Sequence, residues 1–131
     1  MVWCGRIAGT NEAVEITAEQ GLITSIRNVE SKQAEHLPWI SPGWIDLQIN
    51  GFGGYDLNGA TTTLEDIEGV TRALLAQGVT TFLPTIITGH YNRMQQAVAA
   101  IAQYCQDSHF ASDSILGIHL EGPYLSSEDG S

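Results

Sequence analysis

The chain reads as an α/β fold, and two observations carry that reading. From about Pro42 onward, apolar strand-like runs alternate with helical patterns in the order β-α-β-α-β. Polar residues capable of chemistry sit at the ends of the first and third of those strands. Short connections between such elements imply parallel strands joined by right-handed crossovers. An open doubly wound sheet and the first three units of a (β/α)8 barrel both satisfy the pattern, and both place chemistry at strand C-terminal ends.

Residues 1–41 form a separate small β element. In "AVEIT" Val14 and Ile16 alternate with polar neighbours, and "GLITSI" follows a turn expected at Gln20-Gly21. Pro38 and Pro42 in "LPWISPGW" punctuate the join to the second domain, 42–131. That domain opens with the apolar run Gly43 to Ile49, expected to be a buried strand, which leads into the glycine-rich "NGFGGYDLNG". Thr62 with Glu65 three residues later fits a capping box, Leu64, Ile67, Val70 and Leu74 make one apolar stripe, and Gly78 supplies a stop. The β-rich "VTTFLPTIIT" follows, with Pro84 predicting a bulge or a strand end. A second helix is expected over Tyr91 to Gln106, with Met94, Val98, Ile101, Ala102 and Cys105 facing the core. "SILGIHLEG" is the third strand, closed by Gly122-Pro123.

Composition narrows the function classes. With 131 residues, 43% of them hydrophobic, the chain suits one globular domain and is short for a multi-layer enzyme. Fifteen acidic against five basic residues give a formal charge of -10, which argues against nucleic acid and anionic membrane as partners, since both need a positive field. No charged leader precedes an apolar run and no segment has the length of a membrane span, so a cytoplasmic location is expected. Cys4 and Cys105 form no C-x-x-C pair and read as two reduced small hydrophobes.

The residues that could carry chemistry are few. Gln48 and Asn50 lie two apart and therefore share a face at the end of their strand, where they pair within the protein or line a site. Glu121, on a strand expected to be buried, needs a cation or several donors to stay ionised. Arg6, Arg27, Arg72, Arg93 and Lys32 are the chain's cations, and none is expected near a strand C-terminal end, so a metal ion is favoured over a structural arginine partner. His119 shares that face but is expected to brace the site rather than ligate, because one His and one Glu fall short of a zinc site's three protein ligands. Gly51, Gly53 and Gly54 show no phosphate-loop spacing and read as a turn.

Taken together, "ISPGWIDLQINGFGG", "GVTTFLPTIIT" and "LGIHLEGPYL", in this order, resemble the N-terminal part of the deacetylases of N-acetylglucosamine 6-phosphate, within the amidohydrolase superfamily. The resemblance implies the first three β/α units of a (β/α)8 TIM-type barrel over 42–131, preceded by part of a small β-sandwich domain over 1–41. It also implies hydrolysis of the acetamide to glucosamine 6-phosphate and acetate. Most amidohydrolases carry a metal-binding His-x-His where this chain has Gln48-x-Asn50, and some deacetylases of this family share the Gln-x-Asn. The implied cofactor is then one divalent metal ion, zinc or iron, with Glu121 as its ligand from this chain. Gln48 and Asn50 would occupy the vestigial second-metal position, and Gly122 and Pro123 would form a substrate wall. Two histidine ligands, an aspartate acting as general base and acid, and the phosphate-binding residues would lie beyond residue 131, since such barrels need about 250 residues. The expected partner is a small phosphosugar and the full-length enzyme is expected to be a homo-oligomer. The chain alone is expected to be inactive. Another amidohydrolase, dihydroorotase-like or deaminase-like, is the competing enzyme reading, disfavoured by the missing His-x-His. A non-catalytic truncated chain is the competing reading from a different class.

Overall fold

In the computed structural model, residues 1–30, 34–107, 109–126 and 128 are described. Lys32 lies outside them. The chain divides into two compact units, Met1–Pro42 and Gly43–Ser131.

The first unit is a sheet of order β3-β2-β1-β4, built from β1 (Val2–Ile7), β2 (Ala13–Glu19), β3 (Leu22–Asn28) and β4 (Trp39–Ile40). The first three pair antiparallel, and β4 joins β1 in parallel. Gln20 and Gly21, the two residues between β2 and β3, both take positive φ (51° and 81°). This is the primed-turn conformation whose twist matches a hairpin's strands. Val14 and Ile16 are buried, as their alternation predicts. Trp3, Ile16 and Ile26 stand in register across the strands, with Trp3 and Ile26 largely exposed.

The second unit is mixed α/β. Three parallel strands, β5 (Trp44–Ile49), β8 (Val79–Ile87) and β9 (His119–Glu121), lie in the order β5-β8-β9. Helix α1 (Leu64–Ala76) connects the first two and α2 (Tyr91–Gln106) the second two. A small hairpin, β6 (Gly51–Phe52) with β7 (Tyr55–Asp56), turns through Gly53-Gly54 and fills the passage from β5 to α1. Gly69 lets Tyr55 of that hairpin lie against α1, because a Cβ there would collide with the tyrosine ring. The core gathers Ile49 and Leu57 with Ile67, Val70 and Leu74 of α1, Phe82 and Ile86 of β8, and Ala97, Ile101 and Tyr104 of α2. Full burial of each large aliphatic side chain contributes about 1.5–3 kcal/mol before entropy is counted.

Several expectations need correction. The Gly43 to Ile49 run is a strand but not a buried one: Trp44, Ile45 and Leu47 are each more than 60% exposed, and Ile49 alone enters the core. Strand β5 is at the edge of its sheet, so no neighbouring strand covers its outer side. The capping box of α1 forms one residue later than expected. Thr63 is the N-cap, its hydroxyl accepting from the Asp66 N–H while the Asp66 carboxylate accepts from the Thr63 N–H. Thr62, just before Thr63, is buried instead, its hydroxyl donating to Leu57 O at 2.9 Å. In α2 the buried line is Ala97, Ile101 and Tyr104, while Met94, Val98 and Cys105 flank it half-buried. The third strand is three residues long, with Ile115 making only an isolated bridge to Phe82. Pro84 is not a strand end, since β8 runs on through it, but the bulge alternative holds: the register of β5 shifts between Asp46 and Ile49, and Ile49 is the partner of Pro84. A proline has no N–H for a regular ladder, and the irregular register accommodates that.

Candidate functional site

Period-2 geometry orients the site. Phe82 and Ile86 of β8 face the core, so Thr85 and Ile87 face the opposite side. Their register partners on β9 are His119 and Glu121. Gln48 points to this same side from β5, since Ile49 next to it enters the core. Strands β5 and β9 are separated by β8, two strand spacings or about 10 Å. Only long side chains meet over that distance, and Gln48 and Glu121 do: Gln48 Nε2 donates to Glu121 Oε2 at 2.8 Å. His119 makes a parallel reach, with Nδ1 at 3.1 Å from Leu47 O. A carbonyl only accepts, so in this contact Nδ1 carries the proton and the ring is tethered to β5. Thr85, on the strand between, is fully buried.

The other residues singled out from the sequence fall around this bridge. Asn50 follows β5, and its backbone oxygen accepts from the Leu57 N–H at 3.0 Å and from Asn58 Nδ2 at 3.2 Å. Gly122 takes φ +97°, and a Cβ there would collide with Thr88 Oγ1. That hydroxyl donates to Glu121 O at 2.8 Å, fastening the end of β9 to the end of β8. Gly122 and Pro123 line an apolar groove of about 540 Å³ with Met94 and Val98 of α2.

Gln48 and Asn50 are exposed and Glu121 is half-buried, so neither the amides nor the carboxylate suffers the full desolvation that buried groups would. Glu121 takes part in none of the ion pairs among the described residues, which join Arg27 to Glu15, Arg72 to Glu68 and His109 to Asp107. The expectation that no cation stands near a strand end is also overturned. Arg93 Nη2 donates to Ile87 O, the last carbonyl of β8, at 2.7 Å. Arg93 and Asn58 are the two residues that sequence reasoning missed here. For Asn58 the local signal is "DLNG", an Asx-turn pattern within the glycine-rich stretch after the first strand.

As a metal site the cluster is partial. Among the described residues, no three of His, Cys, Asp and Glu gather as a ligand set. Glu121 offers an anionic oxygen and Gln48 a weak neutral one, against the three protein ligands of a catalytic zinc. The residues therefore fit one corner of a metal centre. Among the described residues, no helix is long and apolar enough to cross a membrane.

No family model matches the chain. Over 89 residues it is 40% identical to the N-acetylglucosamine-6-phosphate deacetylase of Haemophilus influenzae, a match covering 68% of this chain and 22% of that protein. The human protein of the same name is 39% identical over 90 residues, with the same coverage. The N-acetylgalactosamine-6-phosphate deacetylase of a Shewanella species is 42% identical over 86 residues, covering 64% of this chain and 20% of its own length. Among solved structures, the N-acetylglucosamine-6-phosphate deacetylase of Pasteurella multocida superposes with TM-score 0.74 at 29% identity, over 98% of this chain and 36% of that one. The Thermotoga maritima enzyme of the same name gives 0.68 at 29% identity, over 87% and 29%. The chain spans about a fifth of the length of the curated relatives it matches.

Proposed function

The chain is related by sequence and fold to the N-acetylglucosamine-6-phosphate deacetylases, and from that kinship we propose that it serves as the N-terminal part of such an enzyme. The reaction is hydrolysis of the acetamide of N-acetylglucosamine 6-phosphate to glucosamine 6-phosphate and acetate. On this reading residues 1–41 belong to a small β-sandwich domain, and residues 42–131 supply the first three β/α units of a (β/α)8 barrel. The observation that carries the proposal is the Gln48–Glu121 contact at the C-terminal ends of parallel strands, where barrels of this class hold their chemistry.

Glu121 is the proposed metal ligand, with two further ligands and the general base outside these 131 residues. A divalent ion there, zinc or iron, would polarise the acetamide carbonyl and lower the pKa of the attacking water. Gln48 holds the Glu121 carboxylate through its amide N–H, and His119 braces the same face from β9 to β5. Gln48 and Asn50 occupy what would be a second metal position. Their carboxamide oxygens are weak donors compared with imidazole, so that position stays without a tightly held ion. With the chain at -10, the substrate phosphate must meet a positive site on other residues. The galactosamine epimer is a second substrate reading, favoured by the Shewanella relative.

The test is made on a full-length deacetylase carrying this segment, by elemental analysis beside acetate release from both epimers. About one metal per chain is expected. Glu121→Ala should lose most of the metal and the activity, because it removes both a bond and the charge that balances the cation. Gln48→Ala should keep the metal and lose activity more mildly. Two tightly held metals, or a metallated and active Glu121→Ala, would defeat the reading.

A further inference from the structure

The C-terminal ends of β5 and β8 meet at Asn58, a residue with no part in the chemistry proposed above. Its side chain is fully committed. Nδ2 donates to Thr85 O at 2.8 Å and to Asn50 O at 3.2 Å. Oδ1 accepts from the Ile87 N–H at 2.9 Å and from Arg93 Nη1 at 3.1 Å. A carboxamide has two N–H donors and two acceptor lone pairs, so no capacity is left over.

The mounting of this side chain is stiff. The Asn58 N–H donates to Asp56 Oδ1 at 2.8 Å. Leu57, just before it, is buried in the core, and its carbonyl is held by the Thr62 hydroxyl. Arg93 reaches back from the first turn of α2 and takes Ile87 O, so the last residue of β8 is held by both its N–H and its carbonyl.

These contacts act on the site from behind. Asn50 is two residues beyond Gln48, and Ile87 is the register partner of Glu121. Gln48 and Glu121 must span two strand spacings to meet, and an N–H···O hydrogen bond holds its heavy atoms within about 2.7–3.2 Å and weakens steeply as its angle closes. A small slip of the β5 end relative to β8 therefore breaks the contact. We propose that Asn58, braced by Arg93, is a positioning residue that locks the ends of β5 and β8 together and so holds Gln48 against Glu121. Its importance for turnover rests on the deacetylase reading; the positioning itself does not.

The experiment is side-chain and amide NMR on the 131-residue chain, with Glu121→Ala as the reference for a site that has lost the acceptor of the Gln48 contact. In Asn58→Ala the Gln48 NH2 resonances should move toward their positions in Glu121→Ala. The Ile87 N–H should exchange about tenfold faster or more, while protection in the middle of α1 and α2 holds. Asn58→Asp keeps an acceptor for the Ile87 N–H and Arg93 but loses the donors to Asn50 O and Thr85 O, so the tie to the end of β5 is cut while Ile87 stays held, and the Gln48 resonances should still move. This variant decides the matter if Asn58→Ala does not fold. Unmoved Gln48 resonances in either folded variant, or a uniform loss of protection across α1 and α2, would overturn the proposal. Acetate release by the full-length enzyme is read separately: a wild type that releases none defeats the deacetylase reading and leaves the NMR comparison standing.

Discussion

Tyr104 is completely buried on α2, and its hydroxyl finds a partner in Phe110 O at 2.5 Å while its ring stacks on His109 with centroids 5.0 Å apart. Burial pushes its pKa above the ordinary 10.0, and the nearby Glu68 carboxylate adds to the rise. Cys105, next to it, is raised above 9.0 by burial. A folded-state pKa above the unfolded value means stability that is complete below the unfolded value and is lost as pH rises through the folded one. The chain should therefore lose stability on the alkaline side, beginning above pH 9 to 10. Tyr104→Phe should cost about 1 kcal/mol at neutral pH, for the hydroxyl bond to Phe110 O. The same variant should show a shallower alkaline decline, leaving the part due to Cys105. Urea unfolding of both proteins at neutral and alkaline pH checks the two claims, and an unchanged alkaline slope in Tyr104→Phe would contradict the second.

At the scale of the element, α1 offers two overlapping capping boxes, Thr62 with Glu65 and Thr63 with Asp66. Local sequence rules cannot choose between them, because both have a hydroxyl followed three residues later by a carboxylate. The choice is made by tertiary packing: Thr62 is buried with its hydroxyl on Leu57 O, and the exposed Thr63 is the residue that caps. Thr63→Ala should therefore destabilise the chain by about 1 kcal/mol, and Thr63→Ser should restore most of it. Glu65→Ala should cost less, since Glu65 is exposed and contributes only through the helix dipole. Thermal unfolding of the three variants side by side tests the ordering.

At the scale of the molecule, the described residues bring together one corner of the proposed site. Three parallel strands bring Gln48, His119 and Glu121 to one side of the sheet, yet no complete metal-ligand set gathers there among the described residues. The chain by itself should therefore release no acetate from N-acetylglucosamine 6-phosphate, with zinc or with iron supplied. Measurable turnover by the purified 131-residue protein would show that the catalytic groups are here after all.

The sequence by itself determined what local chemistry can encode. Periodicity and turn residues placed α2 at Tyr91–Gln106, the hairpin turn at Gln20-Gly21 and the β-α-β-α-β order. Alternation also placed Gln48 and Glu121 at strand ends, because side-chain direction in a strand depends only on position along it. Tertiary structure alone decided whether those ends meet. Gln48 and Glu121 are 73 residues apart in sequence, and Asn58 and Arg93 are 35 apart. It also decided that β5 is an exposed edge, although its apolar run is what a buried strand would carry. Burial depends on which neighbours cover a strand, and a local pattern cannot specify neighbours that far along the chain.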